Sequence, residues 1–266
     1  SRRSISKTRV RCNSASENTS KYLDGFLESV AEQTHTDLEV VLDHNDPTKE
    51  EVAKVEKYNE TQDNITHIVV EGVDPIGVSM NRCIEYADGD YLCIWNIDDL
   101  RTPESIEVMA KALDENTDVD FVYGNYIKVP EFRGTDGELV DESGREDELK
   151  SGMILGPFFM VRRRLLDKTG WFDEKLVSGA DYDLAMRMAR CGKGLHINDI
   201  LGYYLDEGLG QSTSPNSKQS LERTVIEMRY GIDVIDPRLV PQASSGYEIN
   251  KITFNDRVIE ASDFNE

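Results

Sequence analysis

The residues of this 266-residue chain best suited to chemistry are carboxylates placed where a strand ends or a helix begins. Tyr91-Leu-Cys-Ile-Trp-Asn-Ile-Asp-Asp-Leu-Arg-Thr-Pro is an apolar run that passes directly into Asn96, Asp98 and Asp99. Ligands of open α/β sheets bind at the carboxyl ends of strands. Two adjacent carboxylates there repel each other unless a cation or ligand offsets the charge, and hard divalent ions take oxygen ligands of this type. Two readings fit the pair: a metal-and-diphosphate site, or a cap on the helix expected near Pro103. A second cluster, Ser178-Gly-Ala-Asp-Tyr-Asp-Leu-Ala-Met-Arg-Met-Ala-Arg, sets Asp181 and Asp183 at the opening of a helix. Its apolar positions Leu184, Ala185 and Met188 face a core. Acids are favourable at the positive end of a helix without any further role; Asp183 suits that reading better, whereas Asp181 could point into a cleft.

The elements that must carry these residues follow from periodicity. From Arg9 to Tyr123, short β-branched apolar runs alternate with amphipathic stretches, the pattern of an α/β fold with a parallel sheet and crossover helices. Strands are expected at Arg9–Asn13, Leu38–Asp43, Ile65–Val70, Tyr91–Trp95 and Asp120–Tyr123. Helices are expected at Ser20–Gln33, Thr48–Asn59, Val78–Ala87 and Pro103–Asp114, with Thr48 and Thr102 as N-caps. Glu131–Lys150 holds eight acidic and three basic residues and three glycines, and reads as a mobile excursion. Order resumes over Met153–Val161, a helix around Asp181–Arg190, a strand pair near Leu195–Leu205 and a helix near Ser217–Tyr230. The division expected is one domain over 1–230, and a C-terminal extension or start of a further region of a longer parent protein over 231–266.

Charge and composition exclude several classes. With 51 acidic against 30 basic residues, the formal charge is −21 and the isoelectric point about 4.6. A sequence-independent nucleic-acid binder needs a basic surface, and adhesion to anionic lipid is disfavoured for the same reason. No apolar run approaches the ~20 residues that span a bilayer, and the Arg-bearing, Ser-rich start lacks the apolar core of a signal peptide, so a cytoplasmic protein without a membrane span is expected. Cys12, Cys83, Cys93 and Cys191 form no CxxC pair and read as buried thiols.

Taken in order, these segments resemble the family 2 glycosyltransferases, which have the GT-A fold: Rossmann-like, a mostly parallel central sheet with helices on both faces. Leu27-Glu-Ser-Val-Ala-Glu-Gln-Thr-His-Thr-Asp-Leu-Glu-Val-Val-Leu-Asp is similar to the family's first helix, Gln-Thr turn and second strand, ending in a nucleotide-binding acid at Asp43. Gly77-Val-Ser-Met-Asn-Arg-Cys-Ile-Glu-Tyr-Ala-Asp-Gly-Asp-Tyr-Leu resembles the helix and turn before the metal motif, Asn96-Ile-Asp-Asp stands at the DxD position, and Gly170-Trp-Phe-Asp-Glu with Ala180-Asp-Tyr-Asp-Leu matches the late catalytic segments. The resemblance covers roughly residues 8–215. It implies sugar transfer from a nucleotide-diphosphate sugar, UDP-linked by preference, to a carbohydrate or glycolipid hydroxyl, with inversion, in polysaccharide or glycan synthesis. Asp181 would be the catalytic base, Asp98 and Asp99 would hold Mn²⁺ or Mg²⁺, and Asn18, Asp43, Asn81, Asn96 and Asp98 would bind the donor.

The chain departs from the family pattern at several places. The first loop reads Ala15-Ser-Glu-Asn and keeps only Asn18; Asp43-His44 replaces an acidic doublet; Asn96 replaces the first Asp of DxD; Ala180 replaces the Glu before the catalytic Asp. No late metal-binding His stands in place. His196 comes too early, and Glu207 or Gln211 falls nearer. His35 and His44 read as loop or surface residues, Arg162-Arg-Arg as a solvated helix start, Trp95 and Trp171 as core or cleft wall. Two other classes compete. A sugar-nucleotide nucleotidyltransferase needs a Gly-rich phosphate loop after the first strand, and Ser14–Lys21 has no glycine. A catalytically inactive carbohydrate-binding domain would hydrolyse no donor.

Overall fold

The computed structural model of the protein describes residues 8–14, 20–145, 148–151, 155–207 and 218–265. Strand β1 (Thr8–Ser14) leads to α1 (Ser20–Ala31), β2 (Leu38–Asn45), α2 (Lys49–Gln62), β3 (Ile65–Val70), α3 (Ile76–Tyr86), β4 (Tyr91–Asn96), the short β5 (Leu100–Arg101) and α4 (Ser105–Glu115). Then come β6 (Phe121–Val129), β7 (Glu138–Val140), β8 (Phe159–Arg162), α5 (Arg163–Thr169), α6 (Ala180–Cys191), β9 (Gly194–Leu205) and α7 (Gln219–Arg229). The chain closes with α8 (Val240–Gly246) and the hairpin β10 (Lys251–Phe254) and β11 (Arg257–Glu260). The main sheet runs β3-β2-β1-β4-β8-β6-β9-β5, with β7 beside β6. β3, β2, β1 and β4 are parallel, and β8 enters antiparallel between β4 and β6.

Strand alternation sorts the core onto two faces. Val40, Leu42, Tyr91, Cys93 and Trp95 pack with Phe26 of α1, Val55 of α2 and Met109 of α4. Val41 and Leu92, pointing the other way, join Met80 and Ile84 of α3 with Leu165 of α5, Leu184 of α6 and Val225 of α7. Helices therefore cover both faces of the sheet, as expected; β6 and β9 are also parallel, whereas β5 and β7 join antiparallel like β8, so the sheet is mixed. Among the described residues no helix is long and apolar enough to cross a membrane.

Several local expectations are corrected. Thr48 does cap α2, with Glu51 completing a reciprocal capping box, a signal contained within four residues. Thr102 caps nothing: its hydroxyl donates to the Ile200 carbonyl of β9 at 3.0 Å, and α4 begins two residues after Pro103. β6 continues to Val129, because β9 pairs along its whole length as one long strand rather than a strand pair. The acidic excursion is tied down: β7 pairs with β6, the Glu142 N–H donates to Asn125 Oδ1 at 2.9 Å, and Arg145 bridges the buried Glu142; residues 146–147 lie outside the described residues. Beyond residue 230, Ala243, Ile252, Phe254, Ala261 and Phe264 join the core around α6. Cys83 and Cys93 are buried thiols, whereas Cys191 is half-buried.

Candidate functional site

The sheet register builds the first half of the site. Asn13 of β1 pairs with Asp43 on one side and Asn96 on the other, so these two residues share a row about 10 Å apart. Because Leu42 and Trp95 face α1 and α4, Asp43 and Asn96 project to the opposite, α3 face. Asp43 is fully buried and accepts from Asn45 Nδ2 at 2.9 Å and from Arg82 Nη1 at 2.5 Å. Arg82 of α3 also pairs with Asp74. Burial pushes the Asp43 carboxyl up, and Arg82 opposes it. His44 turns to the other face, buried, with its Nδ1 3.1 Å from His67 Nε2, and burial lowers its pKa to about 4. The surface position expected for it is thereby corrected.

At the end of β4 the chain turns sharply. The Asp99 N–H donates to the Asn96 carbonyl at 3.1 Å and Trp95 Nε1 donates to the Asp99 carbonyl at 2.7 Å, which fixes Trp95 as a core residue. Asp99 is buried and accepts from Asn96 Nδ2 at 3.1 Å and from the Leu205 N–H at 3.3 Å. These partners, and a helix α4 that starts six residues later, remove the capping reading of the pair. Burial and then the neighbouring charge of Asp98 push the Asp99 carboxyl up to about 8. Asp98 is raised as well, by burial and by Glu207. Glu207 in turn accepts from Lys21 Nζ at 2.6 Å and from the Tyr22 hydroxyl at 3.0 Å, joining the start of α1 to the chain after β9. Two desolvated acids side by side are short of positive charge, whereas Glu207 has Lys21 to balance it. The oxygen-only donor set suits a hard divalent cation. Among the described residues no three His, Cys, Asp or Glu side chains converge as a metal cage.

Asn81, expected near the nucleotide, bonds the 172–174 turn. Its Nδ2 donates to the Phe172 carbonyl at 2.9 Å and to Glu174 Oε1 at 2.8 Å, while its Oδ1 accepts the Phe172 N–H at 2.9 Å. Both ends of the amide are thus used to brace the 172–174 turn against α3. Gly77 allows the close approach, since a Cβ there would lie 3.0 Å from the Asp173 carbonyl oxygen. Asn18 and Gln211 lie outside the described residues. His196, on β9, bonds Asn125 Oδ1 at 2.8 Å.

The braced turn leads to the second half of the site, on α6. Asp183 is fully buried and accepts from Arg187 at 2.7 Å, from Arg229 at 2.7 Å and from the Tyr230 hydroxyl at 2.8 Å. Asp173 pairs with the same Arg229 at 2.9 Å. Burial alone would raise Asp183, but the charges of Arg187 and Arg229 hold it below its usual value. Asp183 is therefore structural, as its helix-start position suggests. Asp181, two residues earlier, is exposed, and its carboxylate accepts the Tyr182 N–H at 2.8 Å. Although solvent reaches it, the crowd of protein around it pushes its carboxyl up, the N–H bonds oppose this, and Glu222 adds to the rise. An accessible carboxylate that holds protons more tightly than usual suits general-base chemistry. Arg162 and Arg163, read as solvated, instead grip backbone carbonyls at Leu113, Val119 and Gly89.

Comparison with known proteins places this geometry. Residues 15–170, more than half the chain, match the family described as glycosyl transferase family 2; the chain belongs to that family. An uncharacterized glycosyltransferase of Methanocaldococcus jannaschii is 28% identical over 211 residues, covering 76% of this chain and 69% of that protein. A chondroitin synthase of Pasteurella multocida is 26% identical over 189 residues, 69% of this chain but only 19% of the synthase. Among solved structures, Staphylococcus aureus TarS 1–349 in complex with UDP-GlcNAc superposes with a TM-score of 0.68 at 18% identity, covering 92% of this chain and 72% of that one. A Pyrobaculum calidifontis mannosyltransferase in complex with GDP-Man and Mn²⁺ gives 0.61 at 17% identity, covering 91% and 69%. The fold is GT-A.

Proposed function

We propose that this family 2 glycosyltransferase moves a sugar from a nucleotide-diphosphate donor, UDP-linked by preference, to a hydroxyl of a carbohydrate or glycolipid acceptor, with inversion, in glycan or polysaccharide synthesis. The observation that carries the reading is the desolvated Asp98–Asp99 pair at the carboxyl end of β4, with Asp99 pushed up to about 8. Asp43 accepts a hydrogen bond from the base, and Asn96 contacts base or ribose; Asn18, outside the described residues, is assigned to donor binding by the family resemblance alone. A Mn²⁺ or Mg²⁺ ion held by Asp98 and Asp99 would offset the charge that develops on the leaving diphosphate. Asp181 takes the acceptor's hydroxyl proton as the oxygen bonds to the anomeric carbon and the bond to the diphosphate breaks. A single displacement from the face opposite the leaving group inverts the configuration. We assign Asn81 to bracing the 172–174 turn, not to the nucleotide. Residues 1–230 form the catalytic domain, with 231–266 an extension packed on it.

Supporting this reading are the family match and two similar folds whose structures carry UDP-GlcNAc or GDP-Man with Mn²⁺. The test is hydrolysis of a panel of UDP-, GDP- and TDP-sugars, with and without Mn²⁺, the first-formed sugar being read by proton NMR before it mutarotates. Metal-dependent release of nucleoside diphosphate with inverted sugar is expected. Hydrolysis of no donor would favour the inactive binding domain, and a retained configuration would exclude the single displacement.

A further inference from the structure

The geometry points to Glu222 of α7, held by the Tyr247 hydroxyl, as the positioning residue of Asp181: its carboxylate gathers the backbone that presents the proposed base. This inference rests on Asp181 being that base. α6 starts without any side-chain cap of its own at Gly179, which leaves orphan N–H donors at a helix start. Glu222, fully buried on another helix, takes one of these, the Gly179 N–H, together with the two N–H groups that precede it. It accepts from Val177 N–H at 2.9 Å, from Ser178 N–H at 2.6 Å and from Gly179 N–H at 2.8 Å. Three consecutive peptide donors converging on one carboxylate fix the path of the chain into Asp181. The fit is close: a Cβ on Gly179 would lie 3.2 Å from Glu222 Cβ and 3.0 Å from Ile226 Cδ1.

A fourth donor comes from beyond residue 230. Tyr247, at the end of α8, donates its hydroxyl to Glu222 at 3.0 Å. Burial and the Glu222 charge raise that hydroxyl above its ordinary value, so it stays a donor at working pH. The segment after α7 thus reaches back to the proposed catalytic loop. Glu222 acts on Asp181 in a second way, since a buried negative charge nearby disfavours ionisation of a carboxyl. Among the described groups around Asp181, Asp183 on the same helix is neutralised by Arg187 and Arg229, and Glu222 acts on it from a neighbouring element.

Two readouts test this. Carbon-13 NMR titration of the Asp181 carboxyl needs no knowledge of the donor: Glu222→Gln should lower its pKa, and Glu222→Asp, which keeps the charge, should restore most of it. With the nucleotide sugar that the panel shows to be hydrolysed fastest, Glu222→Gln should lower kcat about 10-fold or more through misplacement of the base, at unchanged donor KM, and move the acid limb of the pH profile to lower pH. In Asp181→Asn, adding Glu222→Gln should cost little further kcat, because both act on one step. An unchanged Asp181 pKa with wild-type kcat in Glu222→Gln would overturn the positioning role while leaving Asp181 as base. Full turnover in Asp181→Asn would overturn the base assignment and this inference with it. Should Glu222→Gln not fold, Tyr247→Phe carries the test: a several-fold loss of kcat at unchanged KM supports the clamp, and wild-type kcat contradicts it.

Discussion

Replacing Asp183 by alanine should be among the most damaging substitutions in this protein, although the residue takes no part in the proposed sugar transfer. Its carboxylate is fully buried and is shared by Arg187, also fully buried, and Arg229. Arg187 has its other bonds to the carbonyls of Thr169, Gly170 and Trp171, and Arg229 keeps Asp173. Deleting Asp183 therefore strips Arg187 of the carboxylate that balances it in the protein interior. Breaking a buried pair in this way costs about 3–5 kcal/mol. At about 2–4 °C per kcal/mol for a domain near this size, that is a fall in Tm of roughly 6–20 °C. Urea or thermal unfolding of Asp183→Ala measures it directly. Arg187→Met in the same background should recover part of the loss by removing the unbalanced cation, giving a coupling energy of about 0.5–3 kcal/mol. A loss below about 1 kcal/mol, or strict additivity of the two changes, would refute the argument that this network balances charge.

Three further outcomes are expected. The Asp99 carboxyl, raised by burial and by Asp98 to about 8, contributes stability that is full below its unfolded value near pH 4 and is lost as pH rises through 8; metal-free Tm should fall across that window, Mn²⁺ should raise Tm more at its upper end than at its lower, and a flat profile would contradict the site. Asp43→Ala should raise donor KM far more than it lowers kcat, whereas a collapse of kcat alone would move Asp43 into the chemistry. Gly202→Ala should cost about 1–3 kcal/mol by denaturant unfolding, because a Cβ there would lie 2.5 Å from the Leu100 carbonyl oxygen and nearer still to the Phe158 ring; wild-type stability would mean that β9 and β5 are not packed this closely.

What could be read from the chain was what local order encodes. The capping box of Thr48 spans four residues, and the strand that ends at Asp98 and Asp99 announces itself by an apolar run broken by acids. Pairings made over long separations left no such mark. The partners of Asn81 stand 91 and 93 residues away, so its place in a family-like segment gave no sign of the turn that it braces. Glu222 and Arg229 sit on an ordinary amphipathic helix, where a buried acid and a buried cation look like any solvated pair until the fold closes over them. The segment 131–150 looked mobile because its composition is acidic, yet one side-chain acceptor, Asn125, and a three-residue strand suffice to hold part of it. Arg82 was the exception. It lies in the family-like stretch before the metal motif, so its pairing with Asp43 could have been sought there.

The central claim is that an exposed carboxylate at the start of α6 removes the acceptor's proton in sugar transfer, and the turnover of Asp181→Asn tests it most directly. With the fastest-hydrolysed nucleotide sugar, kcat should fall by roughly two orders of magnitude or more, while donor KM and Tm stay near those of the parent protein. Turnover close to normal in Asp181→Asn would contradict the claim.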